Sequence, residues 1–177
     1  LTKSTGRCTL ASAKEITAIT NEYQKRIIEG DTTVVLPLVA YYGTGRLWLQ
    51  HREKKEDVLL NSSRTNGYID CMDSAANDKL IMNWFNKETS KKLQKKTGTA
   101  AFDAVIMAIE KCISLLIESN DVTVSYNFDN NDLDIQYKKD DQEVILPLNR
   151  MSDGYKCTIS LITDIAYRMA QLNPQLR

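Results

Sequence analysis

The sequence predicts a mixed α and β fold, α+β in class, from three kinds of pattern. Four segments repeat apolar residues at three- and four-residue steps, one run near residue 35 is apolar without interruption, and residues 121–149 alternate in short runs separated by Asp/Asn clusters. With 42% apolar and 26% charged residues over 177 positions, the composition is that of a globular chain with a core rather than of a disordered one.

From Thr9 to about Glu29, Ile16, Ile19, Tyr23 and Ile27 recur with helical spacing, which predicts an amphipathic helix stopped at Gly30-Asp31. "TTVVLPLVAYYGTGR" follows. Its β-branched start and continuous apolar character predict a strand buried on both faces and ending in a tight turn at Gly43-Thr44-Gly45, with Pro37 marking an unpaired ladder position. Residues 50–72 are polar and turn-rich, a loop with one short helical turn. A second helix carries Leu80, Ile81, Trp84 and Phe85 on one face, with Asp73 or Ser74 as its cap. A third, from about Thr99 to Glu118, keeps Ala101, Val105, Ile109, Cys112 and Leu116 in register and is apolar around most of its girth, so it should be central.

Strand chemistry then takes over: "DVTVSYNF", "LDIQYKK" and "EVILPLN", joined at "DNND" and "DDQ", predict a three-stranded antiparallel meander. The last strand runs into Met151-Ser152-Asp153-Gly154-Tyr155-Lys156, after which Ile159, Ile162, Ala166 and Met169 mark a long helix ended at Asn173-Pro174.

Composition excludes several functions. Lysine plus arginine (23) balances aspartate plus glutamate (23), so no overall field recruits nucleic acid or an anionic membrane. Cys8, Cys71, Cys112 and Cys157 form no C-x-x-C or Cys/His cluster, which speaks against zinc and a disulfide framework and fits a reducing, cytoplasmic setting. No apolar run is long enough to span a bilayer, and the start at Leu1 is neither an initiator Met nor a signal peptide. A Walker A pattern, G-x-x-x-x-G-K-[ST], is matched nowhere, and "SLLIESND" continues the third helix rather than forming a strand that ends in Asp-Glu. His51, the lone histidine, sits in a charged loop and reads as a surface residue.

"MSDGYK" is the segment with chemistry in it. Ser152 is placed to cap the helix with its hydroxyl, Gly154 permits close approach of a ligand to the backbone, and the first-turn amides carry the positive end of the helix dipole. Such an end holds a phosphate, although serine and aspartate also start ordinary helices. Asp164 and Arg168, four apart, read as a pair along the helix.

"LPLVAYYGTGRLW", "GYIDCMDSAANDKLIMNWF" and "LNRMSDGYKCTISLITDIAYRMAQLNP" together resemble the middle of bacterial ATP-binding proteins with an ABC/SMC-like P-loop ATPase head, a group that includes AAA-type ATPases of phage-defence systems such as Septu and some retrons. The resemblance covers nearly all of residues 1–177 as one partial head: helix, core strand and YYGTGR turn (1–49), helical lobe (50–120), β-meander (121–150), then signature motif and helix (151–177). It implies that the Ser152–Tyr155 turn is an ABC-type signature motif, closing in trans over ATP held by a second copy in a dimer. Ser152 would meet the γ-phosphate, Gly154 and nearby amides would support it, and Asp153 and Tyr155 would shape the turn. Lys156 stands where an arginine is usual, which keeps charge without the planar fork. Thr44, Arg46 and Gln50 fall near the family's Q-loop and are implied in nucleotide sensing or lobe coupling. The Walker A loop, the Mg²⁺ ligands and the catalytic glutamate are implied to lie outside this segment, so the chain alone should not hydrolyse ATP. A different reading makes the helical lobe a non-catalytic interaction module that docks an effector protein, or nucleic acid through Lys87, Lys91, Lys92, Lys95 and Lys96.

Overall fold

The computed structural model describes residues 13–43, 63–73, 78–95 and 100–176. These fall into two compact units, one within residues 1–36 and the other within 37–177. The mixed α+β class predicted from the sequence is what the chain adopts: among the described residues there are four α-helices and one three-stranded antiparallel sheet.

The first unit carries α1 (Lys14–Ile28). The helix stops where Gly30 takes a left-handed φ of +84°. The Gly30 amide donates to the Ile27 carbonyl (3.1 Å) and the Asp31 amide to the Arg26 carbonyl (2.9 Å), the paired bonds of a Schellman ending. Its apolar stripe is not a core face: α1 buries none of its residues, and Ile16 and Ile19 are exposed.

The predicted core strand is not a strand. Residues 34–43 join no ladder; Val34 and Leu36 are buried, but Val35, Leu38, Val39 and Tyr41 are exposed. An apolar run specifies no partner for its amides, and Pro37 has no N–H to offer one. The turn-rich region contains the expected short helical turn, a 3-10 helix at Arg64–Tyr68 whose start is capped by the Ser63 hydroxyl, which accepts the Thr65 amide at 3.3 Å.

The core of the second unit lies where α2 (Asp78–Lys95), α3 (Ala100–Ile117) and α4 (Asp153–Leu172) meet one face of the sheet. Ile81, Trp84 and Phe85 of α2 are buried as their spacing predicts. Trp84 meets Phe85 (5.2 Å), Phe102 (5.8 Å) and Tyr167 (5.3 Å) between ring centroids, the edge-to-face and tilted arrangements aromatic rings prefer. Helix α3 is central through Phe102, Val105, Ile109 and Ile113, while Met107 and Leu115 stay exposed on its outer side.

The meander is β1 (Thr123–Asn127), β2 (Asp132–Lys139) and β3 (Gln142–Pro147) in that order. Its register sets Val124 opposite Ile135 and Ile135 opposite Leu146, so alternate residues of β1 and β2 (Val124, Tyr126, Leu133, Ile135) share the core face. Both turns use the residues that tolerate left-handed backbone: Asn131 at φ +50° in the first, Asp140 and Asp141 at +50° and +60° in the second.

Candidate functional site

The approach to α4 is built to present the start of that helix. β3 ends at Pro147, the chain makes a short 3-10 turn over Leu148–Arg150, and Met151 is buried as an anchor next to the helix. Asp132, also buried, clamps this approach to β2: one carboxylate oxygen accepts the Asn149 amide (3.0 Å) and the other the Leu133 amide (2.8 Å). Ser152 follows in extended geometry (φ −62°, ψ 155°), and its carbonyl accepts the first helical bond from the Lys156 amide at 3.0 Å.

The Ser152 side chain differs from expectation. It makes no capping bond to its own helix. Its hydroxyl and the amides of Asp153, Gly154 and Tyr155 are therefore donors not used within the described chain, on a tip where residues 152–155 are all exposed. A Cβ built on Gly154 meets nothing within 4 Å, so the space above that backbone is open. Charge at the tip is mixed. Asp153 sits in the first turn, where it complements the dipole, and Lys156 pairs with it at 2.7 Å. An anion arriving here meets a carboxylate that is already paired with Lys156.

The far half of α4 holds a polar centre. Asp164 and Arg168 do pair along the helix, Nε to Oδ2 at 3.0 Å, but in the interior: they are 3% and 5% exposed. Arg168 Nη1 also donates to the carbonyls of Gly67 (2.8 Å) and Ile69 (2.9 Å), and the Tyr42 hydroxyl donates to Asp164 Oδ2 at 2.9 Å. Arg64 reaches the helix end and donates to the Leu172 carbonyl at 2.7 Å. The buried stripe of α4 is thus Ile159, Thr163, Asp164, Tyr167, Arg168 and Leu172, whereas Met169, one of the residues whose spacing marks the helix in the sequence, is 52% exposed. An i,i+4 charge pair looks the same in a sequence whether it is buried or solvated, so only the apolar part of this stripe carried a signal.

Of the other predicted residues, Thr44, Arg46, Gln50, His51 and Lys96 lie outside the described residues, as does the Lys95 side chain. Lys91 is paired with Glu88, and Lys92 with Asp103 at 2.9 Å while lying 5.5 Å from the Phe102 ring centre, so neither projects as a free cation. Among the described residues no group of His, Cys, Asp or Glu is arranged to hold a metal ion, and no helix is long and apolar enough to cross a membrane. No family model matches this chain, and no curated protein matches it significantly.

Proposed function

We propose that this chain is the signature-bearing part of an ATP-binding and hydrolysing head of the ABC/SMC-like kind, in which the start of α4 contacts the γ-phosphate of ATP held by a second copy. The supporting observation is the Ser152 hydroxyl, left uncommitted by its own helix on an exposed tip together with three unpaired amides. A phosphate oxygen would accept from those donors, and the helix dipole would favour its charge. Open space above Gly154 fits a ligand approaching the backbone closely.

In this reading ATP supplies the anhydride bond that is hydrolysed, and Mg²⁺ the charge that offsets its phosphates. The chain's own residues act as the lid: Ser152 orients, the amides of 153–155 stabilise charge, and Lys156 tempers the Asp153 carboxylate. In this reading residues 1–177 supply the lid for the phosphate, and not its cradle, the metal ligands or the general base.

The test is Ser152→Arg in the intact ATPase. ATP-driven association, followed by analytical ultracentrifugation, and turnover should both be lost, while nucleotide binding to the monomer persists. Turnover at the unsubstituted rate rejects the reading.

A further inference from the structure

Residues 37–43 lie against the rest of their unit with little apolar burial to hold them, since Leu38, Val39 and Tyr41 are 43%, 41% and 54% exposed. Among the described residues three hydrogen bonds fasten them: the Tyr68 hydroxyl to the Pro37 carbonyl (2.6 Å), the Tyr41 amide to the Cys71 carbonyl (2.6 Å), and the Tyr42 hydroxyl to Asp164 Oδ2 (2.9 Å). Two of those three partners, Tyr68 and Cys71, belong to the segment 63–73, which is held far more firmly. Arg168 grips it at two carbonyls, Arg64 ties it to the end of α4, and Gly67 packs so closely that an added Cβ would come within 2.6 Å of Leu172 Cγ.

We propose that residues 37–43 are a detachable strap, opening as a unit while segment 63–73, α4 and the sheet stay folded, and that the Tyr42–Asp164 bond is its latch. The position of Arg168 is what makes opening cheap. Asp164 Oδ2 is shared by the Tyr42 hydroxyl and Arg168 Nε, so when Tyr42 leaves, the buried carboxylate keeps its cation. Opening breaks the three bonds named above, of which only the Tyr42 bond goes to a charged acceptor, and it orphans no charge; segments with few buried apolar contacts open below the global free energy.

Amide hydrogen exchange on the chain tests this. In the unsubstituted protein the Tyr41 amide should exchange faster than that of Ile135 in the central strand β2. Tyr42→Phe should speed Tyr41 exchange a further tenfold or so, the effect of losing a bond to a charged acceptor, and leave Ile135 unchanged. Tyr41 and Ile135 exchanging at one common rate without substitution would overturn the strap, and Tyr41 exchange unaltered by Tyr42→Phe would overturn the latch.

Discussion

Tyr167 and Gly67 show how single residues on α4 and its neighbour are constrained, and each makes a prediction. Tyr167 is 1% exposed, stacked edge-on to Trp84, and its hydroxyl finds no partner among the described residues. Burial pushes its phenol up to about 12, Arg168 opposing and Asp164 adding to the rise. Because the folded state raises this pKa above its ordinary value of 10, the contribution to stability is complete below pH 10 and is lost as pH rises from 10 through 12. By pH 11, midway between the two values, the loss should be about 1.4 kcal/mol. Tyr167→Phe removes an unsatisfied buried hydroxyl and keeps the ring, so its stability at neutral pH should match or exceed the original by up to ~1 kcal/mol. Urea unfolding at pH 7 and pH 11 checks both: a large loss at pH 7 would mean that the hydroxyl is bonded. At Gly67 the constraint is space rather than conformation. An added Cβ would meet Leu172 Cγ at 2.6 Å and the Arg168 carbonyl oxygen at 3.1 Å, and Leu172 is fully buried. Gly67→Ala should therefore lower stability by about 1–3 kcal/mol, an overpacking cost visible as a lower urea midpoint.

Among the elements, those whose instructions are local were legible in the sequence. The meander declared itself through alternation and through Asn131, Asp140 and Asp141 at left-handed turn positions, and α1 through Gly30 at its end. The apolar run at 32–43 does not form the predicted strand, because a continuous stripe specifies burial without specifying a ladder partner, and Val35, Leu38, Val39 and Tyr41 face solvent. Helix ends give two tests. Since Ser152 does not cap α4, Ser152→Ala should cost under ~0.5 kcal/mol in thermal unfolding, against about 1 kcal/mol for a working serine cap. A full cap-sized loss would show that the hydroxyl serves its own helix and would remove the main support for a phosphate lid. At the end of α1, Asp31 is held down to about 2 from 3.8 by the Thr33 hydroxyl and amide and then by Arg26, whose Nη2 lies 2.7 Å away. A depressed carboxylate stabilises above its unfolded pKa and loses that effect as pH falls through the folded one. The turn at 31–33 should therefore stay intact at pH 4 and loosen towards pH 2. Asp31 carboxyl chemical shifts would report a midpoint near 4 if the turn were not formed.

Across the whole second unit, what local pattern could not foretell is the wiring that joins distant segments through the interior. Tyr42 reaches Asp164 across 122 residues of sequence and Arg168 reaches Gly67 across 101, and neither link has a spacing rule. The buried apolar residues Phe85, Ile109, Ile113, Leu133, Ile135 and Ile159 are not members of this polar centre. The pair instead selects which irregular segments lie on α4. Desolvating two charges offsets most of their attraction, so the pair as a whole contributes little net stability, whereas either charge left alone is costly. Arg168→Met should therefore cost about 3–5 kcal/mol, because it leaves a buried carboxylate and withdraws the donor from two carbonyls. That is a large share of the roughly 5–15 kcal/mol that holds a domain folded. Adding Asp164→Leu to Arg168→Met should restore much of the loss, even though a second native interaction has been removed. Denaturant midpoints of the two single variants and the double variant decide it. A double variant less stable than both singles would mean that the pair, and not the apolar core around it, carries the fold of α4 on segment 63–73.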